Sequence, residues 1–392
     1  MDTLYGEISH ELTECIIPFW KSLRDDRNGG YIGLVDADLT RHPEADKGCI
    51  LNSRILWFFS AAYRQTGDPA LLDEADHAYT MLLKMLDPEN GGVFWSVHAD
   101  GTVADATKHT YNQAFAIYAL SEYARAAGKE KALHLACGLF DVIEQKCRDE
   151  DGYLEAFTAD WRPAENEKLS ENGVMAYRTM NTLLHLMEGY TGLYQASRDP
   201  KVKERLTEIV LLWEKRIYNR KLRRQEVFFD REYHSLIDLH SFGHDIETSW
   251  LMDHTLDVLE DEDLIRRIRP LLIEMAENTK EAAFGDHGFA NECERGKVDE
   301  KRIWWVQAEA LVGFLNLWKH TGEKRYLADA QSLWYYISNT IKDKRPGSEW
   351  YWFVDADGTP SDKPLVEPWK CPYHNGRMAL EAIRRLKGVQ II

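Results

Sequence analysis

Apolar residues recur at intervals of three and four along five long segments of the chain, which is the pattern of amphipathic helices. A short turn signal interrupts each segment near its middle: TGDP, AGKE, SRDP, LEDED or TGEK. Gly and Asp-Pro in such signals commonly end one helix and begin the next. Each segment therefore predicts two helices joined by a tight turn, over residues 50–86, 110–143, 179–217, 247–276 and 306–341.

The two helices of each pair differ in composition, and this difference predicts where they lie. The first is rich in aromatic and small residues nearly all round, whereas the second has one apolar face and more charge. A helix that is apolar all round is buried on two sides, so the first lies inside and the second outside. An opening helix at about residues 2–22 and a last helix at about 374–387 complete six inner and six outer helices. We predict an all-α fold, an (α/α)6 barrel, as a single catalytic domain over residues 1–392.

A second series of short segments lies between the helix pairs, centred near residues 30, 92, 152, 228, 288 and 350. Gly, Asn and Asp stand beside aromatic residues in these segments, which predicts small β-hairpins or loops. An open solenoid of helix pairs is the alternative architecture. Six repeats with aromatic loops at one end favour a closed barrel, in which these loops form an aromatic-lined pocket above the N-termini of the inner helices.

Charge and composition narrow the class of protein. The net charge of -17 argues against nucleic acid or an anionic membrane as a partner, because both require basic surfaces. No apolar run approaches the roughly 20 residues that span a bilayer, and the acidic N-terminus lacks the features of a signal peptide. The six cysteines are scattered and form no CxxC motif. We therefore expect a cytoplasmic protein. Its expected partner is a small molecule, and we expect a monomer, although no feature of the sequence determines the oligomeric state.

Polar and aromatic residues cluster at the predicted starts of the inner helices. A buried histidine or arginine is usually a hydrogen-bonded core residue, but burying several titratable groups from separate helices at one end of a barrel is costly without a function. Tryptophans near the loops offer flat apolar faces on which sugar rings stack. The candidate residues are Arg54, Tyr111, Asn112, Asn181, His185, His244, Glu247, Trp304, Trp305, Glu309, Trp369 and His374.

Three kinds of chemistry fit parts of this set. His240, His244 and Glu247 follow spacings of four and three and could bind a metal, although HSFG resembles a loop and the spacing is not HExxH. Glu247 and Glu309 could form the carboxylate pair of a glycosidase. Proton transfer at carbon gives the histidines and Arg54 a role, because His244 and His374 could exchange a proton with carbon while Arg54 and His185 stabilise an enediolate.

Four motifs in order along the chain, MNTLLHLMEGY, FGHDIETSWLM, WWVQAEAL and PYHNGRMALE, resemble those of the acylglucosamine 2-epimerase superfamily. The resemblance extends over nearly the whole chain. It implies reversible, cofactor-independent epimerisation at carbon 2 of a sugar, here of the reducing-end glucose of β-1,4-linked disaccharides such as cellobiose and lactose. No metal is implied.

The resemblance also implies residue roles. His244 and His374 would be the acid/base pair, Arg54 and His185 would stabilise the enediolate, and Glu247 would orient a histidine or bind hydroxyl groups. His240 would lie in a loop or behind the site. The remaining candidates would bind sugar: Trp304, Trp305 and Trp369 with Glu309, and Tyr111, Asn112 and Asn181 as lining residues.

Three other functions remain open at this point. A monosaccharide 2-epimerase acting on N-acetylglucosamine and an aldose–ketose isomerase acting on mannose would use related chemistry. A non-catalytic carbohydrate-binding protein would keep the tryptophans but would not need paired histidines with Arg54. Which histidine serves which face of carbon 2 also stays open.

Overall fold

The turn signals between the paired segments end one helix and begin the next. In the computed structural model, which describes residues 2–387, Gly67 ends one helix with a left-handed φ of 75°. Asp68 then caps the following helix by accepting a hydrogen bond from the Ala70 backbone N–H, and Pro69 occupies its first turn. Arg198 and Glu260 adopt the same left-handed conformation in the signals that lack glycine. The five predicted turns are confirmed.

Twelve helices, α1 to α12, form between residues 2 and 387. A π-helical stretch at Glu11–Ile16 lies within the first helix, and two more, at Trp213–Ile217 and Ile337–Ile341, directly follow outer helices. The helices are α1 (Asp2–His10 and Ile17–Lys21), α2 (Cys49–Thr66), α3 (Pro69–Lys84), α4 (Thr110–Ala127), α5 (Glu130–Lys146), α6 (Met180–Ser197), α7 (Pro200–Leu212), α8 (Phe242–Leu259), α9 (Glu262–Ala283), α10 (Trp304–Thr321), α11 (Lys324–Tyr336) and α12 (Tyr373–Lys387).

The even-numbered helices form a closed inner ring. Each packs against the next, and α12 packs against α2 to complete the circle. Glycines allow close approach at three of these interfaces: a Cβ on Gly189 of α6 would lie 2.7 Å from the Ala114 carbonyl oxygen of α4, and Gly313 and Gly376 similarly meet Ile246 and Phe58. The odd-numbered helices bury one face against this ring. The predicted (α/α)6 barrel is confirmed.

Short antiparallel strands lie at the end of the barrel where the inner helices begin. Five inner helices follow directly on a strand, and that strand pairs with the loop after the next outer helix. Val35, in the loop after α1, pairs in the same way with Val366, which precedes α12. The ring is thus closed by strand pairing as well as by helix packing. The strands are Lys47–Gly48 with Ser96–Val97 and Val103–Asp105; Lys108–His109 with Ala156–Phe157; Arg178–Thr179 with Phe228–Phe229; Tyr218–Asn219 with Arg224–Gln225; Leu239–Ser241 with Glu292–Glu294 and Lys297–Asp299; Phe284–Gly285 with Gly288–Phe289; and Arg302–Ile303 with Phe353–Val354.

None of the helices within residues 2–387 combines the length and the apolar character that crossing a bilayer requires.

Candidate active site

A cavity of about 380 Å³ opens at the strand-bearing end of the barrel, among the first turns of the inner helices. The short strands fix where each of these helices begins, so that residues in their first two turns point to a common axis. All but two of the predicted site residues line it: Arg54, Tyr111, Asn181, His185, His244, Glu247, Trp304, Trp305, Trp369 and His374.

The two exceptions have different explanations. Asn112 is fully buried, and its side-chain amide donates to the Phe94 carbonyl oxygen 2.9 Å away, so it holds a loop against α4. The prediction that Asn112 contacts sugar is therefore corrected to a structural role. Glu309 lies behind the cavity wall, where it contacts His374 and the indole N–H of Trp250.

His374, in the first turn of α12, is oriented by a carboxylate. Its Nδ1 lies 2.7 Å from Glu309 Oε1, and its ring centroid lies 5.4 Å from that of Trp305. A carboxylate at Nδ1 holds the proton there and leaves Nε2 as a free base. Burial, with the positive charges of Arg54 and Arg377, holds the pKa of His374 well below its usual value. The ring is therefore neutral at physiological pH.

His244, in the first turn of α8, faces the same space. Its Nδ1 lies 2.7 Å from the Ser241 hydroxyl, and its ring centroid lies 4.8 Å from that of Trp305. Burial lowers the pKa of His244 to about 3, so its ring is neutral at physiological pH. Two neutral imidazoles, one from α8 and one from α12, thus contact the indole of Trp305 on α10.

Arg54 supplies a fixed positive charge beside these histidines. It is only 2% exposed, and its Nη2 donates to the Tyr111 hydroxyl at 2.8 Å. Its guanidinium lies 4.1 Å from the centre of the Phe115 ring, so aromatic faces hold it in place. Its Nε–H has no hydrogen-bond partner within residues 2–387. A preorganised donor in a water-poor site stabilises a developing oxyanion strongly.

His185, one turn into α6, is oriented like His374. Its Nδ1 lies 2.9 Å from Glu188 Oε2. Although burial opposes ionisation, the charge of Arg377 and the hydrogen bond with His185 hold the pKa of Glu188 at about 2. Glu188 is therefore an ionised partner that fixes the ring orientation of His185.

Sequence reasoning missed the residue that connects these carboxylates, Arg377. Its Nη1 donates to Glu188 Oε1 at 2.5 Å, and its Nη2 donates to Glu247 Oε1 at 2.5 Å and to Glu309 Oε1 at 2.7 Å. It also contacts the Tyr373 hydroxyl, which donates to Glu188. We refer to Arg377, Glu188, Glu247, Glu309 and Tyr373 as the Arg377 cluster. Arg377 stands three positions after His374, as Glu188 does after His185, so helical spacing could have revealed it.

The carboxylates of the Arg377 cluster differ in charge state. Burial raises the pKa of Glu247 to about 7. The negative charge of Glu309 also raises it, whereas the positive charge of Arg377 lowers it. Burial also raises the pKa of Glu309, though Arg377 and its hydrogen bond oppose the shift. Near neutral pH, Glu247 is thus able to carry a proton at the edge of the cavity, and its Oε2 has no hydrogen-bond partner within residues 2–387.

Donor atoms of Glu247, Glu309 and His374 lie within 4.8 Å of one another, a spacing at which three ligands can hold a metal ion. The guanidinium of Arg377 already contacts both carboxylates. A divalent cation at this position would be repelled by Arg377 and would have to displace its hydrogen bonds. The donor set is therefore better suited to the arginine than to a metal.

His240 is not part of the helix that carries His244. It lies in the strand Leu239–Ser241, and its Nε2 is 3.0 Å from Asp245 Oδ2. It is buried outside the cavity lining, so the three-residue stripe of His240, His244 and Glu247 does not exist in the fold. His240 therefore lies behind the cavity wall and before the helix, in a short strand rather than in a loop.

Loop residues complete the mouth of the cavity, and the helical pattern gave no indication of them. Lys168, Glu171 and Asn172 come from the loop before α6, and Asn291 and Glu292 come from a β-hairpin. The Asn172 amide donates to Glu292 at 3.1 Å, which links the loop to the hairpin. Polar groups thus surround the mouth, whereas tryptophans and histidines surround the interior.

Comparison with known proteins identifies the family to which the chain belongs. The profile of the N-acylglucosamine 2-epimerase (GlcNAc 2-epimerase) family matches residues 29–376. A cellobiose 2-epimerase from Eubacterium cellulosolvens is 49% identical over 97% of this chain and 98% of its own. The crystal structure of a sugar epimerase from a ruminal bacterium superimposes with a TM-score of 0.96 at 48% identity, covering 97% of this chain and 98% of that chain. The structure of cellobiose 2-epimerase from Bacillus thermoamylovorans gives a TM-score of 0.95 at 42% identity, covering 98% of this chain and 100% of that chain. This chain belongs to the N-acylglucosamine 2-epimerase family.

Proposed function

We propose that this protein acts as a cofactor-independent cellobiose 2-epimerase, which reversibly inverts carbon 2 in the reducing-end glucose of β-1,4-linked disaccharides. The observation that carries this proposal is the pairing of His244 and His374. They come from different helices, are neutral at physiological pH, and contact the same Trp305 in a cavity that also holds the cation Arg54. The relatives named above, with similarity over the full chain, support the choice of substrate.

The reaction begins with ring opening, in which a proton moves from the anomeric hydroxyl to the ring oxygen with the help of a histidine. One neutral imidazole then removes the proton on carbon 2, which is acidic because it lies next to the aldehyde. The electron pair passes to the aldehyde oxygen and gives an enediolate. Arg54 and His185 stabilise that negative charge. The other histidine, which has taken up a proton from solvent, returns it to the opposite face of carbon 2. The first histidine releases the proton that it removed to solvent, and the ring closes.

Aromatic residues hold the sugar in this scheme. Trp305 lies beside both histidines, and Trp369 lies next to Arg54, whose Nη1 is 3.3 Å from the Trp369 carbonyl oxygen. Their flat faces stack on the apolar side of pyranose rings. Glu309 acts on the substrate through His374 rather than by binding sugar itself.

We also propose that the protein works as a monomer in the cytoplasm. All six cysteines are free thiols. Free thiols suit a reducing compartment, where disulfides are rare. Sedimentation velocity would test the monomer, with a single species near 45.5 kDa expected.

Proton NMR of cellobiose in deuterated water with EDTA tests the activity. We expect a mannose reducing end with deuterium at carbon 2, because the histidines exchange their protons with solvent before they return one. A fructose reducing end as the main product would instead support an aldose–ketose isomerase, and glucose release would support hydrolysis by the glutamates. The absence of any change in cellobiose would overturn the proposed substrate. The His374→Asn protein provides the matched inactive control.

A further inference from the structure

Arg377 lies between two cavities. Its guanidinium reaches the Arg377 cluster behind the active site, while the residue also lines a second cavity of about 530 Å³ at the opposite end of the inner helices. Glu188 lines that second cavity too. Arg377 is only 2% exposed, and its Nε–H has no hydrogen-bond partner within residues 2–387. We refer to this second space as the rear cavity.

The contacts of Arg377 divide between the partners of two histidines. Its Nη1 donates to Glu188 Oε1, and Glu188 Oε2 faces His185 Nδ1. Its Nη2 donates to Glu309 Oε1, and the same oxygen atom faces His374 Nδ1. We propose that Arg377 is a positioning residue of the epimerisation: one buried guanidinium holds both carboxylates that orient His185 and His374. The inference rests on the proposed function for its kinetic part only.

The charges in the Arg377 cluster explain why the guanidinium is needed. Glu188, Glu247 and Glu309 are each nearly inaccessible to solvent, and three carboxylates at such short distances repel one another. Among residues 2–387, Arg377 is the positively charged side chain that pairs with all three carboxylates. Without it, Glu188 and Glu309 would take up protons and would lose acceptor capacity. The rings of His185 and His374 would then be free to rotate, or to carry their proton on Nε2 instead of Nδ1. A proton on Nε2 of His374 would remove the base from the cavity.

A structural role alone would predict different behaviour. If Arg377 only fills space, its replacement lowers stability and leaves the histidine tautomers as they are. If Arg377 positions the carboxylates, its replacement lowers kcat while the sugar-stacking residues keep KM nearly unchanged. We therefore expect Arg377→Ala to lose roughly 100-fold or more in kcat for cellobiose, with a small change in KM.

The rear cavity makes chemical rescue possible. A guanidinium ion at millimolar concentration, well below denaturing levels, can enter that cavity and occupy the space left by the Arg377→Ala side chain. We expect it to restore a measurable part of kcat in a saturable manner. Arg64→Ala is the matched control, because Arg64 lines the rear cavity but pairs with Glu122 and does not touch the Arg377 cluster. This control should keep wild-type kcat and should not respond to guanidinium.

A measurement on the protein without substrate separates this inference from the proposed function. In protein with ¹⁵N-labelled histidine, His185 and His374 should each show an Nδ1–H signal in the wild type. Both signals should weaken or shift in Arg377→Ala, and they should recover with guanidinium. These signals can be read even if cellobiose proves to be the wrong substrate.

The inference is overturned if Arg377→Ala keeps wild-type kcat. It is also overturned if kcat falls while both histidine signals stay unchanged and guanidinium has no effect. If Arg377→Ala does not fold, Arg377→Lys serves instead, since lysine keeps one positive charge but lacks the fork that reaches all three carboxylates. A folded Arg377→Lys protein with wild-type kcat and unchanged histidine signals would contradict the inference equally.

Discussion

At the scale of single residues, the proposed reaction depends on histidines that stay neutral. Desolvation lowers the pKa of His244 and His374, and a carboxylate or hydroxyl group at each Nδ1 fixes the ring. A histidine in water would be partly protonated near neutral pH and would be a less available base. Burial therefore prepares these two side chains before any substrate binds.

Replacement of His374 should separate catalysis from binding. His374→Asn removes the acid/base group but keeps a polar side chain, so we expect turnover of cellobiose to fall by about 100-fold to 10,000-fold. Binding of cellobiose, measured by calorimetry, should remain within a few-fold of the wild type because Trp305 and Trp369 are intact. Unchanged turnover would contradict the proposed mechanism.

A histidine titration tests the electrostatics directly. His42 lies at the surface, and its hydrogen bond with the Asp36 carboxylate raises its pKa above 6.5. Burial lowers the pKa of His244 and of His374 below 6.5. On lowering the pH, NMR should therefore show His42 gaining its proton first. His244 and His374 should remain neutral after His42 is fully protonated. Simultaneous titration of all three would show that the cavity does not desolvate its histidines.

The sequence revealed most of this site because its residues sit on helices. His185, His244 and His374 lie in the first two turns of inner helices, and helical periodicity predicts that these turns gather at one end of the barrel. Asn172 and Glu292 could not be predicted, since their positions depend on how a loop and a hairpin fold together. Asn112 follows Tyr111, which lines the cavity, and this closeness along the chain was the reason to expect it there. Its side chain instead points to the Phe94 carbonyl oxygen.

At the scale of elements, the starts of the inner helices are the critical points. Glu155 anchors α6: it accepts hydrogen bonds from the Thr179 backbone N–H at 2.6 Å and from the Thr182 hydroxyl. Gly243 similarly lets α8 approach α10, because a Cβ there would collide with the Trp305 ring and with Val306. Small changes at these two positions should reach the cavity through the helices that carry its histidines.

Glu155 predicts a pH-dependent stability. Burial raises its folded pKa to about 7 from the ordinary 4.5. The stability that this group contributes is fully present below pH 4.5 and is lost as the pH rises through 7. Over this window the loss amounts to as much as about 3 kcal/mol, at roughly 1.36 kcal/mol per pKa unit.

The Glu155→Gln variant should therefore lose less stability than the wild type between pH 4.5 and 7, even if it is less stable at every pH. Urea unfolding at several pH values measures this difference. The exposed substitution Glu150→Gln is the control and should follow the wild type. Parallel curves for Glu155→Gln and the wild type would contradict the prediction.

Gly243 predicts a defect in both stability and substrate binding. Gly243→Ala should displace the Trp305 ring, raise KM for cellobiose and lower the free energy of unfolding by about 1–3 kcal/mol, as overpacking commonly does. Gly138→Ala is the matched control, since Gly138 is exposed in α5 and a Cβ there meets nothing within 4 Å. That substitution should leave KM unchanged and stabilise the protein by about 0.5–1 kcal/mol. Equal effects of the two substitutions would show that the contact with Trp305 is unimportant.

At the scale of the whole molecule, ring closure joins every helix pair to two neighbours. We propose that the chain unfolds as a single domain for this reason, because no pair can leave without exposing the apolar sides of two inner helices. Calorimetry should show one transition with equal calorimetric and van't Hoff enthalpies. Helical circular dichroism should be lost in the same temperature range. Two separated transitions would indicate that part of the barrel folds independently.

Architecture was predictable because it follows from a repeated pattern, and the repeat is visible without coordinates. Helix pairs, their turns and their inner or outer positions each depend on local spacing, as at Gly67 and Gly322. The Arg377 cluster brings together side chains from four inner helices, so its existence depends on the closed ring rather than on any one motif. For that reason the barrel was predicted and the cluster was not.

The pairing of Val35 with Val366 repeats the relation found at the other inner helices, and Lys387 of α12 lies 5.9 Å from the ring of Tyr5 in α1. Among residues 2–387, the junction between the first and last helices is therefore of the same kind as the other junctions of the barrel. A circularly permuted chain, with its present ends joined by a flexible linker and new ends cut at Gly67 or Gly322, would preserve every strand pair around the cavity. Both cuts lie at the end of the barrel away from the histidines. We therefore expect the permuted chain to keep the cavity intact, although its repeats are synthesised in a different order.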